Sequence, residues 1–158
     1  MAHAGGRLRL ILLCAALLPA GFGCGISTYQ VRFVPDTEEL KGKPSIPVYV
    51  YFAPSHDVEL CLKLASRELF ERSGQYEKRL NPQLMQSTVV SAEGPVQVTG
   101  EGLPAPLAKV FIWGNFAAKV EEGGNRLVVE PDRFQSSFLS GEGVLEVPVH
   151  PTGFGSPK

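Results

Sequence analysis

KVFIW, residues 109–113, is the most apolar stretch of the chain beyond residue 23, and its reading decides the fold. Successive side chains of a strand point to opposite faces. Val110, Ile112 and Gly114 therefore share one side, and Phe111, Trp113 and Asn115 the other. A strand apolar on both sides is central in a sandwich or lies under a partner. Two readings follow for the aromatic side chains. Phe111, Trp113 and nearby Phe116 are core in the first and a protein-contact surface in the second.

Working outward, short apolar runs separated by Gly and Pro recur along the chain. Tyr29 to Val34 alternates, with Tyr29, Val31 and Phe33 opposed to Gln30, Arg32 and Val34. IPVYVYFA, residues 46–53, is β-branched and aromatic and begins in a proline-rich stretch. Ser87 to Ser91 and Val96 to Thr99 flank a turn at Glu93-Gly94-Pro95. Ala117 to Glu121 and Arg126 to Glu130 flank EGGN, a hairpin signal. Val144 to Val149 closes the series. DVELCLKLASRELFERS, residues 57–73, breaks the pattern. Its second half, Ala65 to Ser73, reads as a helix with Gly74 as its stop. Val58 to Leu64 fits both a strand and a helix, with Ser55 a plausible N-cap in the second case. Seven or eight short strands with one short helical insertion make a mainly β fold, a small immunoglobulin-like β-sandwich.

The amino terminus is of another kind. Arg7 and Arg9 precede an unbroken apolar run from Leu10 to Leu18, then Pro19 and the small residues Ala20, Gly21 and Gly23. This is the build of a secretory signal peptide, and the run is about half the roughly 20 residues of a membrane span. Cys24 follows directly. It resembles the cysteine of a bacterial lipoprotein signal, the lipobox, with Gly23 before and Gly25 after it, although Gly21 stands where an aliphatic residue is usual. That resemblance implies cleavage before Cys24 and its acylation by fatty chains such as palmitate. Gly25, not being Asp, implies an outer-membrane address on the periplasmic face. Ordinary signal cleavage at the same small residues is the other reading, and it leaves a soluble periplasmic or secreted protein. The expected organisation is a signal peptide over 1–23, lipidated Cys24 with a short tether over 24–28, the sandwich over 29–150, and a tail over 151–158.

Without Arg7 and Arg9, thirteen basic residues face sixteen acidic ones, a net charge of −3. No basic stripe exists for nucleic acid. Cys61 reads as a small buried hydrophobe if Cys24 carries lipid, or as its disulfide partner if not. Ser55-His56-Asp57 has the letters of a triad, but adjacent side chains diverge and cannot form the relay. His56 and His150 are too few and too far apart in sequence for a metal site. GEG at 100–102 and at 141–143 lacks the lysine and helix start of a phosphate loop, and both read as turns. Glu121 and Glu122 read as a solvated hairpin shoulder. No catalytic set, metal or cofactor is expected, and the chain reads as a non-enzyme.

The acyl cysteine, the strand YQVRFVPD, the linker ELKGKPSIP and the strand PVYVYF before a helical insertion resemble the outer-membrane lipoprotein of bacterial type VI secretion systems. That family implies a transthyretin-like sandwich that holds an envelope-spanning complex to the outer membrane. On this reading the chain is a lipid-anchored adaptor or scaffold, with the membrane and an envelope protein as partners. The alternative is a periplasmic lipoprotein that binds a small ligand or a glycan.

Overall fold

The computed structural model describes residues 26–71, 79–101, 103, 106–116, 125–136 and 141–158. The expected strand at 117–121, Glu121, Glu122 and Gly74 lie outside them. Among the described residues the strands are β1 (Thr28–Pro35), β2 (Ile46–Pro54), β3 (Met85–Val90), β4 (Val96–Glu101), β5 (Leu107–Gly114), β6 (Arg126–Val129), β7 (Gln135–Ser136), β8 (Glu142–His150) and β9 (Gly153–Phe154). Three short helices join them: α1 (Thr37–Leu40), α2 (Val58–Lys63) and α3 (Ser66–Glu71). None is long and apolar enough to cross a membrane.

The strands form two sheets. The first runs β4-β1-β8-β7, with β9 also on β8, and the second runs β3-β2-β5-β6. β1 is central in the first sheet, antiparallel to β4 and parallel to β8. Its alternation places Val31 and Phe33 inward at 0 % exposure, against Leu145, Val147 and Val149 of β8 and the inner face of the second sheet. The fold is thus the expected mainly β sandwich.

A third layer explains why KVFIW is apolar on both sides. Val110 and Ile112 face the first sheet, whereas Phe111 and Trp113 face outward into a second apolar cluster. Tyr51 and Ala53 of β2 join them there, and Cys61, Leu64, Leu69, Leu80 and Leu84 cover them. The cover over β5 is the chain's own helical segment. Fully burying one such side chain contributes about 1.5–3 kcal/mol, so this second cluster stabilises the domain as a core does.

The structure decides one open local reading and corrects others. Val58 to Lys63 is helical, with Cys61 turned onto the sheet and Leu62 left 46 % exposed. Ser55 is not its N-cap: Ser55–Asp57 forms a 3-10 turn, and Asp57 at the cap position makes no capping hydrogen bond. Its carboxylate instead accepts a hydrogen bond from Tyr51 Oη at 2.6 Å. Gly100 lies in β4, not in a turn, and a Cβ there would stand 2.7 Å from the Phe52 ring. Gly143 is likewise inside β8, beneath Ile26 and Phe134, while Gly141, at φ +65°, precedes the strand. The segment 151–158, expected as a tail, is held to the first sheet, with Gly153–Phe154 forming β9. Phe154 pairs with Val149, Lys158 and Glu146 exchange two backbone hydrogen bonds, and the Phe154 ring packs against Phe116 with centroids 5.0 Å apart.

Candidate functional site

Three places concentrate the features singled out above: the end of the sandwich where β1 enters, the outer face of β5, and the opposite end. The entry end is built by β1, β4 and β8, which bring Thr28 beside Glu101 on one side and Glu142 on the other. Ser27 donates twice to the Gly141 carbonyl, from its backbone N–H at 2.8 Å and from its hydroxyl at 3.0 Å. Ile26 packs so closely over Gly143 that a Cβ there would meet it at 2.7 Å. Residues 26–28, expected as tether, are therefore fixed to the body. Cys24 lies outside the described residues, two positions before Ile26.

On the outer face, Phe111 and Trp113 stack with ring centroids 5.5 Å apart and an angle of 14°. Both are 0 % exposed, and Phe116 is buried between the sheets. The helical layer covers Phe111 and Trp113, and the inter-sheet core encloses Phe116. Trp113 Nε1 is buried and has no hydrogen-bond acceptor among the described residues.

Around them a polar frame ties the layers together. Tyr51 Oη donates to Asp57 and accepts from the Asn81 N–H at 3.2 Å. Burial, and then the Asp57 hydrogen bond, push the Tyr51 phenol well above its ordinary range. Arg126 donates to the carbonyls of Leu62 at 2.7 Å and Leu64 at 3.3 Å, satisfying the carboxyl end of α2. Ser66 Oγ donates to the Asn125 carbonyl at 3.0 Å. Burial pushes the Cys61 thiol up to about 12, with Asp57 acting in the same direction and Arg126 opposing. Such a thiol is protonated and inert at neutral pH. Within Ser55-His56-Asp57, the His56 ring is 80 % exposed and 3.7 Å from Asp57, whose other oxygen is held by Tyr51. The frame orients structure and activates no nucleophile.

At the far end, β1 and β8 finish side by side, and His150 comes within 3.3 Å of Glu39 and 3.9 Å of Asp36. Their donor atoms lie within 4.8 Å of one another. Sequence reasoning missed this grouping because 114 positions separate Asp36 from His150 and only the parallel β1–β8 register joins them. Asp36 already caps α1 through the Glu39 N–H, at 3.1 Å, and all three side chains are at least a third exposed. Beside them lies a shallow cleft of about 330 Å³, lined by Leu40, Lys43, Pro44, Ile46, Pro47 and Pro151 among others, with no aromatic ring in its wall.

No protein-family model matches the chain, and no curated protein does. Solved structures do. Serratia marcescens Lip, a membrane-bound component of the type VI secretion system, superimposes with a TM-score of 0.59 at 12 % identity, over 84 % of this chain and 96 % of that one. The type VI secretion lipoprotein TssJ1 from Pseudomonas aeruginosa gives 0.58 at 7 % identity, over the same shares. A chain in the structure of the T6SS protein TssM C-terminal domain (869–1107) from EAEC gives 0.54 at 12 %, over 82 % and 98 %. At such identities the likeness shows a shared fold.

Proposed function

We propose that this chain is the lipid-anchored component of a type VI secretion system, an adaptor that holds the envelope-spanning complex to the periplasmic face of the outer membrane. The observation that carries the reading is the extent of the likeness: the fold runs over 96 % of two secretion-system proteins described as membrane-bound or as a lipoprotein. A lipobox-like cysteine just before the folded body is the second support. The signal peptide over 1–23 is removed and Cys24 becomes the acylated first residue. The chain acts by binding and not by catalysis, since its buried Tyr51 and the partly exposed Asp57 and Arg126 are engaged in holding helices to a sheet. A glycan binder would present aromatic platforms, and the cleft wall offers none.

The test is capture of the detergent-solubilised, full-length protein after cross-linking in its native host. Recovery of an inner-membrane secretion component supports the adaptor, and recovery of the protein alone sinks it. For the anchor, Cys24→Ser is expected to abolish acylation and move the protein out of the membrane fraction. Normal processing and fractionation of that variant would reject the lipid.

A further inference from the structure

We propose that the entry end of the sandwich is a membrane-seating face, resting on lipid headgroups and holding the domain upright with its far end about 25 Å off the bilayer, the length of an eight-residue strand. This rests on acylation of Cys24. Ile26 is packed on Gly143 and Ser27 is bonded twice to Gly141, so Gly25 alone stands between the lipid-bearing residue and the body. Two residues of extended chain reach at most about 7 Å. The headgroup layer on each side of the roughly 30 Å hydrocarbon core is itself about 5–7 Å thick. Ile26 is therefore held within about 7 Å of the acylated residue, close against the headgroup layer, and whatever lies beside it is held near that layer too.

The neighbours are set by register. Thr28 is flanked by Glu101 of β4 and Glu142 of β8, and exposed Pro106 immediately precedes β5. The two carboxylates that flank Thr28 give this edge of the face a negative character. It complements ammonium-bearing headgroups such as phosphatidylethanolamine and is repelled by anionic lipid. The seat is thus polar and shallow, and it fits a zwitterionic surface.

The experiment uses the full-length acylated protein on vesicles of phosphatidylethanolamine and phosphatidylcholine that contain a nitroxide-headgroup lipid. A fluorophore is attached at Pro106→Cys or, at the far end, Lys43→Cys; Cys61 is fully buried and stays unlabelled. Quenching several-fold stronger at position 106 than at 43 is expected. Co-sedimentation with the vesicles but equal quenching at the two positions overturns the seat and leaves the anchor standing. Loss of co-sedimentation overturns the anchor, and the seat falls with it.

Discussion

Trp113 joins the two readings of its stretch in one residue. It is wholly buried on the outer side of β5, stacked on Phe111, with an indole N–H that meets no acceptor among the described residues. Trp113→Ala is expected to lower stability by about 3–5 kcal/mol, a large part of the roughly 5–15 kcal/mol a small domain possesses. Trp113→Phe keeps the stacked ring and deletes a donor whose burial costs about 1–3 kcal/mol. Its urea midpoint should stay near that of the parent, which separates packing from polar content. Cys61 makes a second residue-scale prediction. Its thiol is held neutral up to about pH 12 in the folded chain against an ordinary 9, so the unfolded chain loses its proton first. Stability is complete below pH 9 and falls as pH rises toward 12, by up to about 1.4 kcal/mol per pH unit. Cys61→Ala should flatten the decline of melting temperature above pH 9, and an unchanged slope would place the titration elsewhere. The apolar character of both residues was legible in the sequence. Their meeting was not, because Cys61, Leu64, Leu69, Leu80 and Leu84 come onto the outer side of β5 only in three dimensions.

The elements divide into those set by local pattern and those set by contact. β1, β2, β5 and β8 follow period-two or doubly apolar runs, and each lies where its run placed it, to within two residues at either end. Val58 to Leu64 fitted two periods, and tertiary contacts decide between them. As a helix, the segment turns Cys61 onto Tyr51 and Phe111 and lets Arg126, more than sixty positions away, bind its last carbonyls. Removing that guanidinium by Arg126→Ala leaves a partly buried carbonyl without a donor. A loss of about 1–3 kcal/mol is expected in urea denaturation, with the slope unchanged because the exposed surface is the same. Arg126→Lys should restore only part of it, since one ammonium does not reproduce the guanidinium's fork. β9 escaped the sequence because two residues carry no periodicity. Its place comes from the Phe154 ring lodged against Phe33 and Phe116.

For the whole molecule, the sandwich was legible as a class, but its third layer and its fixed amino-terminal corner were not. The latter sharpens a test of the adaptor reading. About ten Gly/Ser residues inserted after Gly25 add a root-mean-square reach of roughly 16–19 Å while leaving Ile26, Ser27 and the fold intact. A scaffold whose partner meets it at a set height should lose secretion activity, with membrane attachment and melting temperature unchanged. A ligand binder would be indifferent, because its cleft travels with the domain. Full activity of the long-linked protein counts against the adaptor.

The parallel course of β1 and β8 also has a mechanical consequence. A pull at Cys24 acts along β1, which is held by eight register pairs with β8 and six with β4. Those rungs lie across the line of tension and are sheared together, whereas a hairpin pulled at its open ends parts one rung at a time. Domain rupture under axial tension thus requires many hydrogen bonds to fail in the same instant. The strand next to the proposed anchor is thus one whose extraction the fold resists strongly, because both its neighbours hold it along its length.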